Sequence, residues 1–306
     1  MSLRGTRRRP NATGSPKANP LVQYQTTLRD AIAFEGAGLH TGAAARVRVL
    51  PAPAGHGLRF RVDDAVEFPA RADYVVETVR ATVVGVGEHR VSTVEHLLSA
   101  LLGSGVDNAL LAVDGPEIPV ADGSAKVFCD AIEAVGLTTL HEARRRWVPT
   151  ETHLFRDGDK LLIVAPASSF RVRMIVDYPA PIGAQYVEAE ITPDTYRREI
   201  APNRTFGFLH EVEALIKRGL AQGGTLDNAV VFGTDGPVAP LRSPNEPARH
   251  KMLDLIGDFA LLGAYPQCEV IAVKSGHKLH CTAVRELVAA SQHDEAAAGR
   301  RPMQSQ

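Results

Sequence analysis

His250, Asp254 and Asp258 recur four residues apart in the run HKMLDLIGD. An imidazole and a carboxylate one helical turn apart can converge on a single metal ion. At about 100° per residue, these three side chains and Gly257 fall within one arc of roughly 100°. Met252, Leu255, Ile256, Phe259 and Leu262 gather on the opposite side. Gly257 removes the side chain that would crowd the polar face, and Asp258 extends that face by another turn. Two ligands hold a metal poorly, so a third must come from elsewhere in the chain.

His96, in STVEHLLSALL, is a candidate. A lone histidine there is more often a satisfied surface or core group than a ligand, but Glu95 beside it changes the reading. Neighbours on a helix point about 100° apart, so one can ligate while the other reaches a metal-bound water. That is the logic of HExxH sites, where the glutamate is a base and not a ligand. His277 lies in KSGHKLHCTAV, at a strand-to-helix turn after EVIAVK. It reads as a solvated loop histidine, or as a cleft histidine oriented and kept protonated by Asp258. Hydrolysis of an amide or ester at a metal needs few parts. The ion lowers the pKa of its water from about 16 towards about 7 and polarises the carbonyl. A carboxylate takes the water's proton, a donor stabilises the oxyanion, and an acid protonates the leaving group. Each acid–base step is worth about 10²–10⁴-fold. His96, His250 and Asp254 would leave a position open for water, with Glu95 and His277 as the proton carriers.

The elements that must position these residues show an internal similarity. VDNALLAVDG (106–115) and LDNAVVFGTDG (226–236) share a D-N-A-apolar-apolar core followed by Asp-Gly. Each follows a helical segment ending in glycines and precedes, after a Pro-containing loop, another helical run. The order helix, strand, loop, helix thus occurs twice, about 120 residues apart, and predicts a duplication. Strand-like runs precede each unit: ARVRVLPA (45–52) and ATVVGVG (81–87), then KLLIVAPA (160–167) and FRVRMIVDY (170–178). Leu97, Leu98, Leu101 and Leu102 form an apolar stripe closed by Gly103, read as a left-handed C-cap. Phe208, Leu209, Val212, Leu215 and Ile216 do the same before Gly219. Both stripes are expected to be core. The fold class is α+β, two similar domains that are each a sheet covered by helices. Domain I spans 22–145 and domain II 146–290, joined near Arg144-Arg145-Arg146-Trp147, with disordered tails at 1–21 and 291–306.

Composition bounds the function. The chain has 306 residues, 44% hydrophobic and 23% charged, with a net charge of −1, which offers no global electrostatic case for nucleic acid. Three cysteines (Cys129, Cys268, Cys281) without CxxC spacing argue against a disulfide framework or thiolate metal site and suit a reducing cytosol. No apolar run approaches the roughly 20 residues that span a bilayer. The basic first 20 residues lack an apolar h-region and carry Pro and Gly, so they read as a solvated tail and not a secretory signal or transit peptide. A cytoplasmic monomer is expected.

Taken together, VSTVEHLLSALLGSGVDNALLAVDGPEIPVADGSA, NRTFGFLHEVEALIKRGLAQGGTLDNAVVF, RHKMLDLIGDFALLG and KSGH resemble the UDP-3-O-acyl-N-acetylglucosamine deacetylases of lipid A biosynthesis. GAGLHTG (36–42) is similar to that family's opening motif, and the resemblance covers about residues 24–288. It implies a zinc amidohydrolase of two β-α-α-β domains with the active site between them. His96, His250 and Asp254 would be the zinc ligands, with Fe²⁺ as a possible substitute, and Glu95 the general base. His277 would be the general acid, hydrogen-bonded to Asp258. Thr205 would donate to the oxyanion, Lys251 would hold the substrate, and Phe206 would contact the glucosamine. His40 and Lys160 would lie near the nucleotide diphosphate. The 3-O-acyl chain would enter an apolar passage formed by an insert at about 180–192, APIGAQYVEAEIT.

Two departures stand out. The family usually reads GHALNN after the catalytic histidine; here it is Gly276-His277-Lys278-Leu279-His280-Cys281. Asp177-Tyr178-Pro179-Ala180-Pro181 lacks the usual histidine-proline pair. Two competing readings share the same residues. An iron(II) oxygenase also uses two histidines and a carboxylate, but has no need of Glu95 and His277 as proton carriers. A binding or scaffolding relative would keep the fold without the complete set of acid–base groups.

Overall fold

The computed structural model describes residues 23–219 and 221–298. The expected tail at 1–21 lies outside the described residues. In chain order come β1 (Tyr24–Leu28), β2 (Ile32–Ala37), β3 (Ala44–Pro51), β4 (Leu58–Val62) and β5 (Val66–Pro69). A small antiparallel ribbon of β6 (Val75–Glu77), β7 (Val83–Val86) and β8 (His89–Val91) leads into α1 (Glu95–Gly103). Next are β9 (Ala109–Asp114), α2 (Lys126–Val135) and β10 (Leu137–Ala143). From Arg146 onward the order is β11 (Arg146–Trp147), β12 (His153–Asp157), β13 (Lys160–Pro166), β14 (Arg171–Asp177), β15 (Ala184–Glu190) and the single turn α3 (Pro193–Thr195). Then follow β16 (Phe206–Phe208), α4 (Leu209–Lys217), β17 (Val230–Phe232), α5 (Glu246–Ala260), β18 (Tyr265–Pro266), β19 (Cys268–Val273) and α6 (His277–Ala298).

Two five-stranded sheets dominate, ordered β2-β3-β9-β4-β5 and β12-β13-β19-β14-β15. Their orientations match: β9 pairs antiparallel with β3 and parallel with β4, as β19 does with β13 and β14. Each sheet alternates inward apolar with outward polar residues, the pattern of a sheet with one buried face. In β3, Val47 and Val49 are fully buried while Arg46 and Arg48 turn outward; in β14, Val172, Met174 and Val176 face in. The equivalent parts of the two halves are therefore α1 with α5, β9 with β19 and α2 with α6. This differs from the sequence match. VDNALLAVDG forms the central strand β9, whereas LDNAVVFGTDG contributes only β17, which pairs with β16 in a separate two-stranded sheet. The shared D-N-A string marks two places that are not topological counterparts.

Helices α1 and α5 pack against each other, and both are buried on nearly every side. That is why the apolar stripe of α5 extends so far: Met252, Leu255, Ile256 and Phe259 are fully buried. Their close approach depends on glycine. A Cβ on Gly257 would stand 2.0 Å from the Glu95 carbonyl oxygen, and one on Gly103 would stand 2.3 Å from the Tyr196 ring. Gly103 is thus a packing site inside the helix, and the left-handed residue after α1 is Gly105, with φ of 81°. Gly219, with φ of 74°, does take the left-handed conformation expected after α4. The stripe before it is not core throughout: Leu209 is exposed, and the side chains of Leu215 and Ile216 lie outside the described set. The expected tail boundary at 291 falls inside α6, where Ser291 Oγ accepts a hydrogen bond from Trp147 Nε1 at 2.8 Å. No described helix is long and apolar enough to cross a membrane.

Candidate active site

Polar side chains on two helices buried all round must find partners or a ligand, because an unpaired buried charge is strongly disfavoured. His96 starts α1, and His250 and Asp254 lie one turn apart on α5. His96 Nε2 lies 3.6 Å and His250 Nε2 3.3 Å from the same oxygen, Asp254 Oδ1. The two imidazoles stand perpendicular with centroids 5.0 Å apart. Asp254 Oδ1 is buried and accepts no hydrogen bond. His250 Nδ1 faces the Asn203 carbonyl oxygen at 3.1 Å, so Nδ1 carries the proton and the Nε2 lone pair points at Asp254 Oδ1. Burial lowers the pKa of His250 to about 4, against the attraction of Asp254, and keeps the ring neutral near pH 7. A neutral imidazole locked by a carbonyl is the usual form of a metal-ligating histidine. Two ring nitrogens and an orphaned carboxylate oxygen fit a divalent cation, and this donor set suits zinc or iron(II).

Around this triad lie the expected proton carriers. Glu95 is buried, with Oε2 accepting from the Thr82 N–H at 3.0 Å and Oε1 3.6 Å from His277 Nε2. Burial raises its pKa, against the pull of His277 and His96. His277 opens α6 and donates through Nδ1 to Asp258 Oδ2 at 2.9 Å. Burial alone would lower the proton affinity of His277, but Asp258 and Glu95 outweigh it and hold the pKa up at about 9. Asp258 is affected inversely: burial would raise it, yet His277 and His280 hold its pKa down at about 2. Lys251 Nζ donates to Asp254 Oδ2 at 2.6 Å. Burial opposes its charge, but Asp254 overrides this and pushes the lysine pKa up.

The loops that present the remaining residues are pinned by buried carboxylates. Glu246, at the start of α5, accepts from Arg204 N at 2.9 Å, Arg204 Nε at 3.0 Å and Arg242 N at 2.7 Å. This fixes the 203–205 segment, so Asn203 meets His250 and Thr205 borders the cavity. Glu117 accepts from the backbone N–H groups of His40 at 3.0 Å and Thr41 at 2.9 Å, and from Thr93 Oγ1 at 2.6 Å. It ties the 38–41 loop to the approach to α1. The Nδ1 atom of His40 is buried without a hydrogen-bond partner. Phe206 sets its ring 6.1 Å from His250 and edge-on, and 5.2 Å from Tyr178.

One cavity of about 780 Å³ brings these together. His40, Glu95, His96, Lys160, Thr205, Phe206, His250, Lys251, Asp254 and His277 all line it, and Asp258 stands behind His277. Lys160 lines the cavity as an exposed residue. The insert expected to form an acyl passage at 180–192 does not line this cavity. Residues 184–190 form the edge strand β15, and none of 180–192 lines the cavity. The apolar walls come instead from the β16–α4–β17 excursion, with Phe208, Leu209, Val212, Leu226, Ala229 and Val231. Sequence reasoning also missed Thr82, Ser275 and the role of His280. His280 was visible one turn after His277; the Thr82 hydroxyl carries no local signal, since its partners Asp258 and His277 are 176 and 195 residues away.

Known proteins resemble this chain over most of its length. The chain is 45% identical over 277 residues to a UDP-3-O-acyl-N-acetylglucosamine deacetylase of Trichormus variabilis, covering 87% of this chain and 99% of that relative. A Nostoc protein of the same name is 46% identical over 277 residues, with 87% and 99% covered. That of Myxococcus xanthus is 41% identical over 275 residues, with 88% of each covered. Residues 25–289 match the family profile described as LpxC, UDP-3-O-acyl N-acetylglycosamine deacetylase. The chain belongs to the UDP-3-O-acyl N-acetylglycosamine deacetylase family.

Proposed function

We propose that this protein is a zinc-dependent hydrolase that removes the N-acetyl group of UDP-3-O-acyl-N-acetylglucosamine as acetate, a step of lipid A biosynthesis. The observation that carries this reading is the orphaned Asp254 Oδ1 facing His96 and His250, with Glu95 and His277 on its flank. His96, His250 and Asp254 would hold the zinc, which when bound acidifies water and polarises a carbonyl. Burial makes the Glu95 carboxylate a stronger base, and it accepts the proton of the attacking water. Thr205 donates its hydroxyl to the oxyanion, and the Lys251 ammonium holds the substrate beside it. His277 is protonated at neutral pH and tethered at Nδ1, so its Nε2–H is the proton available to the leaving nitrogen. The C–N bond breaks as that proton arrives, leaving acetate and a free amine. Phe206 would pack on the glucosamine. His40 and Lys160 would face the diphosphate, and the apolar wall between Phe208 and Val231 would take the acyl chain. The matching strand orders of the two sheets support an internal duplication, with the active site at the α1–α5 contact between the copies.

The test is turnover of UDP-3-O-acyl-N-acetylglucosamine by zinc-loaded protein under strict exclusion of oxygen. Full acetate release is expected. No acetate would overturn the substrate assignment, and a requirement for oxygen would turn the same ligands into an oxygenase site. Support of hydrolysis by Fe²⁺ is compatible, since the donor set accepts both metals.

A further inference from the structure

Asp258 has more partners than a simple His–Asp pair requires. Its Oδ1 accepts from Thr82 Oγ1 at 2.6 Å. Its Oδ2 meets two imidazoles at once, His277 Nδ1 at 2.9 Å and His280 Nδ1 at 2.8 Å. The other nitrogen of His280, Nε2, lies 2.8 Å from Ser275 Oγ. His280 and Asp258 have no solvent exposure. Both histidines belong to the first turn of α6, where the His280 N–H bonds the Gly276 carbonyl oxygen at 3.0 Å. One carboxylate oxygen thus sits at the fork of two rings that stand 79° apart.

We propose that His280 is a positioning residue for the deacetylation reaction: its Nδ1–H holds the Asp258 carboxylate in the one orientation that presents Oδ2 to His277. The proposal rests on the deacetylase reading and on His277 acting in it. The tautomer follows from the partners. An ionised carboxylate can only accept, so His280 must donate from Nδ1. Burial lowers the proton affinity of His280, leaving Nε2 to accept the Ser275 hydroxyl proton. Ser275 is among the residues lining the cavity, and its hydroxyl hydrogen is directed to His280 Nε2. With Thr82 on one oxygen and two imidazoles on the other, the carboxylate cannot rotate without breaking three hydrogen bonds. An apolar residue at 280 would remove one of them and free Asp258 to turn towards Thr82. His277 would then lose its fixed aim at the leaving group while substrate binding stayed as it was. His280 makes no hydrogen bond to His96, His250 or Asp254, so its contribution is separable from the zinc site proposed there.

Two variants and one spectrum test this. His280→Leu has the bulk but no donor; His280→Asn restores a donor near the Nδ1 position. With zinc-loaded protein, His280→Leu is expected to lower kcat about tenfold with KM within about twofold, and His280→Asn to stay within about threefold of the parent in kcat. Undiminished kcat in His280→Leu would overturn the proposal. So would an equal loss in both variants, which would indicate packing and not donation. Nitrogen-15 NMR of histidine-labelled parent protein should show His280 protonated at Nδ1 and bare at Nε2, with two downfield Nδ1 protons from His277 and His280. Protonation at Nε2 alone would overturn the proposal even if His280→Leu failed to fold. A parent protein inactive on the substrate would fall on the deacetylase reading, and the tautomer would still decide the hydrogen-bond role.

Discussion

Glu95 and His277 stand 3.6 Å apart with opposite tendencies, burial favouring the neutral carboxyl and neighbouring carboxylates favouring the imidazolium. Such a pair can accept and deliver protons in one cycle. Glu95→Ala should therefore reduce acetate release by at least about 10²-fold while bound zinc stays near that of the parent; metal analysis beside the rate assay separates base from ligand. His277→Ala should flatten the alkaline limb of the pH–rate profile, and an unaltered bell shape would count against the acid role. Stability gives a second reading of the same residue. The folded-state pKa of His277 is raised from 6.5 to about 9, so its stabilisation is fully present below about pH 6.5 and lost as pH rises through about 9. In metal-stripped protein, the denaturant midpoint should decline across that window, and His277→Gln should remove the decline. The candidate ligands and proton carriers could be picked out in the sequence because each pair is local: His250 with Asp254, Glu95 with His96, Gly276 before His277. Their supports could not. The Thr82 hydroxyl, Asn203 and Glu117 reach the site through contacts far apart in sequence, for which spacing offers no sign.

At the scale of elements, the site depends on how closely α1 approaches α5. Gly257 permits that contact, since any Cβ there would overlap the Glu95 carbonyl oxygen at 2.0 Å. Gly257→Ala should cost about 1–3 kcal/mol in unfolding free energy, as overpacking does, and should also weaken zinc binding because His96 shifts with Glu95. Equilibrium unfolding with a zinc titration reads both, and a variant with parental stability and zinc affinity would contradict this account of the helix contact. The sequence pattern found α5 and α1 from their apolar spacing and, from β-branched alternation, found β3, β13 and β14 of the main sheets and β7 of the small ribbon. It misaligned the two halves, because a ten-residue string is weak against the order of a whole sheet. The counterpart of β9 is β19, which runs CEVIAV and shares none of the D-N-A motif.

Across the whole molecule, two similar sheets bring candidate ligands from α1 and α5 to one cavity, and an excursion from the second half supplies its apolar wall. The resemblance placed that wall at 180–192, but those residues include the edge strand β15, of whose seven residues only Val187 is buried, and none of them lines the cavity. Gly207 offers a direct probe of the wall, as a Cβ there meets no atom within 4 Å. Gly207→Leu should raise KM several-fold for a long-acyl substrate and less for a short-acyl one; equal changes for both would argue that the chain lies elsewhere. The central claim is that a zinc held jointly by His96, His250 and Asp254 runs the deacetylation. Its most direct test is acetate release from UDP-3-O-acyl-N-acetylglucosamine as metal-stripped protein is titrated with Zn²⁺. The rate should rise from near zero and break at about one zinc per chain, with no such break in His96→Ala. Undiminished acetate release by the stripped protein, or none at any zinc loading, would contradict the account.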